Sequence, residues 1–256
     1  MLRQIIILLL LCTVGCTKGG AGGSSDGACS NLIGAKVTNG EGCERESSNP
    51  VVLIVIAGAQ GEPQGICSGT LISSTKILTA AHCLASVDGA YFINVNGNIF
   101  PAASAVEHER YDGAVGNPFD VAILTLAAPQ PVIPEPVLIS RSVPIGEKVT
   151  VFGYGRDEDG ESATDKGADS LKAGRMEVTD YTGGLIKAEF DETGSSACNG
   201  DSGGPAVFED DGVSGIVGIV SIGTVGNCLE GTEVFFTDVQ LVVDFIMKHA
   251  PDASVS

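Results

Sequence analysis

Residues Ala197-Cys198-Asn199-Gly200-Asp201-Ser202-Gly203-Gly204-Pro205-Ala206-Val207 set one serine in a glycine-rich turn, directly after an aspartate and ahead of an apolar run. A serine hydroxyl is a weak nucleophile until a base takes its proton and N–H donors stabilise the developing oxyanion. Gly200 and Gly203 leave the backbone free to aim such donors and let a substrate chain approach closely. The same letters also suit an ordinary turn in a secreted β protein. What separates the two readings is whether a base and an orienting acid stand elsewhere in the chain.

Outward from that turn the chain reads as short strands. Residues 205–209, 215–221 and 233–237 follow it, and 51–56, 68–72, 76–80, 91–95, 99–102, 121–126, 148–152, 172–178 and 185–190 precede or flank it. They are rich in Val and Ile and are broken by Gly, Pro, Asn and Ser. Prolines between Ala128 and Pro136 exclude a central strand and suit an extended connection between two halves. Only 239–248 carries apolar residues at helical spacing, with Pro251 just beyond. The acidic stretch from Asp157 to Asp169 reads as an exposed loop. It fails as a calcium loop, because its first and twelfth positions would be Gly155 and Lys166. Strands at this spacing suggest two antiparallel barrels or sandwiches with one terminal helix.

The chain has 256 residues and a formal charge of −18, enough length for a substantial core and too acidic to bind nucleic acid non-specifically. Met1-Leu2-Arg3-Gln4 is a short positive segment, and residues 5–11 form an apolar run too short to span a bilayer. Thr13-Val14-Gly15-Cys16, followed by a Gly/Ser stretch, resembles a bacterial lipoprotein signal. In such signals residues 1–15 are removed and the cysteine, here Cys16, carries lipid; Thr13 departs from the usual leucine. The other reading is an ordinary secretory signal with an incidental cysteine. Residues 16–36 then form a flexible tether or propeptide. Of eight cysteines, setting aside Cys12 and Cys16 leaves Cys29, Cys43, Cys67, Cys83, Cys198 and Cys228. An even number in an exported chain points to three disulfides, and arithmetic leaves their pairing open. No CxxC or HExxH spacing occurs, so neither a metal nor another cofactor is expected.

Three histidines are available as the base. His108 and His249 sit in polar surroundings and read as surface residues, whereas His82 follows a predicted strand in Leu78-Thr79-Ala80-Ala81-His82-Cys83. That segment, together with Cys67-Ser68-Gly69-Thr70-Leu71-Ile72, resembles the histidine region of the chymotrypsin-like serine proteases. Asp120-Val121-Ala122-Ile123-Leu124 resembles their aspartate motif, and Gly200-Asp201-Ser202-Gly203-Gly204-Pro205 their serine motif, in the family's order. The resemblance covers roughly residues 37–249. It implies an all-β fold of two antiparallel barrels, over about 50–127 and about 137–238. A connection over 128–136 would join them, with a C-terminal helix over 239–249 and a tail over 250–256. Ser202 would be the nucleophile, His82 the general base and Asp120 its orienting acid, with the N–H groups of Gly200 and Ser202 forming the oxyanion hole.

By the same resemblance the disulfides are Cys67–Cys83 and Cys198–Cys228, leaving Cys29 to Cys43. Lys36-Val37-Thr38-Asn39-Gly40 is similar to the family's activation site, although Thr38 departs from it. A cut after Lys36 by another protease would free the amine of Val37 to pair with Asp201. Gly153-Tyr154-Gly155 matches a family strand end. Ser221-Ile222-Gly223 matches the strand that pairs with substrate backbone. Ser196 stands where trypsin-type members carry an aspartate, and Val234 stands where the family often has glycine. Together they imply a shallow pocket for small or medium apolar side chains rather than Lys or Arg. The expected activity is that of a monomeric endopeptidase acting on proteins or peptides, with the membrane touched only through the N-terminal lipid. A silent protease-fold binding lipoprotein and an esterase using the same triad are the competing readings.

Overall fold

Runs of β-branched residues make the strands. The segment Val-Val-Leu-Ile-Val-Ile-Ala of β2 (Val51–Ala57) is stiff at χ1 and buried along most of its length. The computed structural model describes residues 41–42, 49–84, 89–155, 171–190, 194–224, 228 and 230–256. The signal segment, Cys16, Cys29, Cys43, Lys36, Val37 and the acidic stretch lie outside the described residues.

With β1 (Glu41–Gly42), β3 (Pro63–Leu71), β4 (Lys76–Thr79), β5 (Ala90–Val95), β6 (Asn98–Glu107) and β7 (Ala122–Leu126), the first half is in place. Strands β2-β3-β4-β7-β6-β5 close into a barrel, all pairs antiparallel. The second half holds β8 (Lys148–Gly153), β9 (Lys172–Thr182), β10 (Leu185–Glu189), β11 (Pro205–Asp210), β12 (Val213–Gly223) and β13 (Glu233–Asp238). Their order is β9-β10-β13-β12-β11-β8, and β8 pairs back onto β9 to close a second six-stranded barrel, with β1 added beside β9. The two-barrel expectation holds. Each expected strand forms within a few residues, except that β3, β6, β9 and β12 run longer. Most of β6 is exposed, so pairing with β5 and β7 holds it where apolar alternation is absent.

Two cores result, one around Ile54, Leu71, Ile77, Ile93 and Leu124, the other around Val151, Met176, Ile186, Phe208 and Phe236. Between them Val51 and Leu53 of the first barrel pack against Tyr154, Leu171 and Ala173 of the second. Helix α1 (Val239–His249) is capped by Asp238, whose carboxylate accepts from Gln240 N at 2.9 Å. Although α1 leaves the second barrel, Val242, Phe245 and Ile246 bury in the first core, so the helix straps the halves together. The last residues do the same. Ser254 N donates to Ile72 O at 2.7 Å, and Ser256 N donates to Val137 O at 3.0 Å. What reads in sequence as a free tail is a strap along the seam.

His108 corrects the reading of its neighbourhood. Glu107 and Glu109 suggest a surface site, yet His108 is only 8% exposed, with Phe119 and Phe245 at 4.8 and 4.9 Å between ring centroids. His249, also expected on the surface, is half-buried against Phe245 at 4.7 Å. The His108 Nδ1 accepts from Arg110 N at 3.0 Å, which requires the neutral ring. Burial accordingly holds its pKa below the ordinary 6.5, against the opposing pull of Glu109. Such a group contributes its full stability above the unfolded value and loses it as pH falls through the folded one. Melting temperature is therefore expected to fall more steeply between about pH 7 and about pH 5 in the native chain than in His108→Phe. Equal slopes would contradict the assignment.

Candidate active site

The chain turns sharply after β4, and a single 3-10 turn, Ala81–Leu84, carries His82. Its neighbour Cys83 is bonded to Cys67 of β3 across a separation of 16 residues, a loop closure of the size worth about 3 kcal/mol. Asp120 lies just before β7 and is 3% exposed. Its Oδ1 accepts from His82 N at 2.9 Å, and its Oδ2 lies 2.7 Å from His82 Nδ1. A second donor to Oδ2, Ser221 Oγ at 2.6 Å, comes from β12 in the other barrel. The backbone of Asp120 is tied there as well, since Thr237 Oγ1 donates to its carbonyl at 3.0 Å. A carboxylate only accepts, so the neutral His82 ring carries its proton on Nδ1, which leaves a lone pair on Nε2. The sulfurs beside His82 are oxidised to a disulfide and offer no thiolate to a metal.

The serine turn is held from several sides. Gly203 has φ +79°, and a Cβ there would sit 2.1 Å from Thr79 Oγ1 and 2.5 Å from Ser68 O, so only glycine fits. Ser202 O accepts from Ser68 N at 2.8 Å and lies 3.8 Å from Cys83 Sγ, which sets the turn against the histidine segment. Gly203 N donates to Val220 O at 2.7 Å, and the Cys198–Cys228 disulfide braces the far side. Ser202 Oγ is not hydrogen-bonded to His82 here; such contacts often tighten only around substrate.

Asp201 faces inward and is fully buried. Its carboxylate accepts from Gly155 N and Cys198 N, each at 2.8 Å. Burial pushes its pKa up to about 6, against the lowering effect of those N–H groups and of Lys172. The sequence gives no hint that Lys172 is interior, yet it is 2% exposed and its Nζ donates to Gly155 O. A lysine in a strand reads as solvated, and only the fold brings it beside a buried acid.

Next to Ser202 lies a small cavity of about 60 Å³, lined by Ser221, Ile222, Gly223, Cys228 and Val234 among others, with no carboxylate among the described residues of its wall. Ser221, Gly223 and Val234 thus stand together as expected. Ser196 does not line this cavity: it is fully buried and its hydroxyl turns to Ala197 O at 3.2 Å. The structure therefore gathers His82, Asp120, Gly200, Asp201, Ser202, Ser221, Gly223 and Val234 at the seam between the barrels. Nothing in the sequence announces the link from Ser221 to Asp120, or the interior places of Lys172 and Ser68. In the sequence Ser221 reads only as a residue beside substrate.

Comparison with known proteins agrees with this geometry. The family described as Trypsin matches residues 37–246. Trypsin iota of Drosophila melanogaster is 30% identical over 209 residues, spanning 72% of this chain and 78% of that protein. Trypsin of Saccharopolyspora erythraea is 29% identical over 182 residues, covering 62% of this chain and 76% of its own. In fold, the solved structure of HL collagenase matches with a TM-score of 0.69 at 21% identity, covering 84% of this chain and 99% of that one. With two closed β-barrels and a family match across most of its length, this chain belongs to the trypsin family and is a serine endopeptidase.

Proposed function

We propose that Ser202 Oγ attacks the substrate carbonyl while His82 Nε2 takes its proton, with Asp120 holding the imidazole and balancing the imidazolium. The N–H groups of Gly200 and Ser202 receive the oxyanion, and His82 then returns the proton to the leaving amine. The observation that carries this reading is the Asp120 carboxylate, buried and paired with the backbone N–H and the Nδ1 of His82. A small apolar residue of the substrate fills the cavity beside Ser202, because Val234 lines it and no carboxylate among the described residues there meets Lys or Arg. The protein is exported and held to a membrane by lipid on Cys16. No helix among the described residues is long and apolar enough to cross one.

The chain is made as a zymogen cut after Lys36. The support is Asp201, a fully buried carboxylate whose pKa burial raises despite two N–H donors and Lys172, so a further positive charge beside it would favour its ionised form. A freed Val37 ammonium would supply it and fix the loop bearing Gly200. A fluorophosphonate probe is expected to label the native chain and not Ser202→Ala, and to label about tenfold faster after limited cleavage at Lys36. Labelling that survives Ser202→Ala would refute the nucleophile. Equal rates before and after cleavage would refute activation and leave Lys172 as the sufficient countercharge. For specificity, peptides with Ala or Val before the cleaved bond are expected to give a kcat/KM at least about tenfold above Arg peptides, and Val234→Gly is expected to raise cleavage after Phe by a similar factor. Equal cleavage of Arg and Ala peptides would contradict the pocket reading.

A further inference from the structure

Ser68 sits in β3, in the first barrel, and is fully buried. Each of its polar atoms is engaged. Its N–H donates to Ser202 O at 2.8 Å, and its carbonyl accepts from Thr79 Oγ1 at 2.8 Å. Its hydroxyl donates to Gly200 O at 2.9 Å and accepts from Tyr154 N at 2.9 Å. The direction of that relay is unambiguous, because Tyr154 N can only donate and Gly200 O can only accept. One hydroxyl therefore joins the first barrel to two loops of the second, across separations of 132 and 86 residues.

Gly200 has φ +99°, a conformation open to glycine, and it packs so closely that a Cβ would meet Gly155 Cα at 2.9 Å. The peptide after it is held on one side by Asp201, whose N–H donates to Cys198 O at 2.9 Å and whose carboxylate accepts from Gly155 N and Cys198 N. On the other side it is held by Ser68 Oγ at the Gly200 carbonyl. Once that plane is fixed, only rotation within Gly200 sets the aim of its N–H. We propose that the Ser68 hydroxyl is a positioning group for the oxyanion loop, holding Gly200 from the opposite barrel so that its N–H is aimed before the tetrahedral intermediate forms. This rests on Gly200 and Ser202 being the oxyanion donors. Donors act best when their orientation costs nothing at the moment of reaction. Ser68 does not touch the reacting atoms; it acts through Gly200.

The test uses the full chain with Ser68→Ala, and with Ser68→Gly as a second variant that adds no atoms. For both, kcat is expected to fall about tenfold with KM within about twofold, since the contact weakened, from Gly200 N–H to the oxyanion, is one made in the transition state. A peptidyl boronate, whose tetrahedral adduct on Ser202 puts an oxygen in the hole, is expected to bind about tenfold more weakly, while a non-covalent peptide is unaffected. A purely structural hydroxyl would lower melting temperature and leave these ratios alone. Native kcat and boronate affinity in a folded variant would overturn the proposal. Failure of both variants to fold would also overturn it, by assigning the hydroxyl to the scaffold. Absence of fluorophosphonate labelling in the unsubstituted chain would instead sink the oxyanion reading itself. Labelling with unaffected Ser68 variants would sink only the positioning role.

Discussion

A buried carboxylate must be saturated, and Asp120 is saturated only when both barrels are present. At 3% exposure it would cost several kcal/mol if left unpaired. Its partners come from the 3-10 turn of the first barrel, through His82, and from β12 of the second, through Ser221. The hydrogen bond from Thr237 to its carbonyl adds a further tie to β13. Apolar contacts at the seam, such as Leu53 against Tyr154, bring the barrels together without specifying one alignment. The Asp120 set does specify it, because hydrogen bonds near 2.7 Å tolerate little sliding. The same constraint that registers the halves fixes Nδ1 of His82 as the donor to Asp120 and leaves the lone pair of the neutral ring on Nε2.

The serine turn repeats the logic from the other direction. Ser202 belongs to the second barrel, yet its carbonyl is bonded by Ser68 of the first, and Gly203 passes so close to Thr79 that no side chain fits. Ser202, His82 and Asp120 thus come from loops at one interface rather than from the centre of either barrel, as expected when rigid strands position functional loops. Asp201 is the counterpart that faces inward. Its burial opposes ionisation, its two N–H partners and Lys172 favour it, and the balance leaves the loop responsive to added positive charge. On the proposed mechanism that responsiveness is where regulation enters.

Much of this was legible in the residues. Val and Ile runs such as 51–56 favour strands at that length, and the glycine-rich serine segment takes its catalytic reading from the histidine and aspartate motifs that precede it in order. Local signals failed where the deciding partner is remote. His108 lies between two glutamates, and only the fold brings Phe119 and Phe245 to it. Ser68 and Lys172 are polar residues in strands, and nothing nearby in sequence announces acceptors on Gly200 and Gly155. The extent of β6 was hidden for the same reason, since its neighbours rather than its own apolar pattern hold it. Ser196 sits one turn of logic away from its expected place: its position in sequence suits a pocket floor, but its side chain bonds Ala197 O.

The central claim is that Asp120 fixes the protonation of His82 so that Nε2 is free to accept a proton. Imidazole nitrogen and proton NMR of the selectively labelled full chain at neutral pH reads this directly. The account predicts a protonated Nδ1 with a strongly downfield proton and an unprotonated Nε2, and loss of that downfield proton with a change of tautomer in Asp120→Asn. A native His82 protonated on Nε2, or a spectrum unchanged by Asp120→Asn, would contradict it.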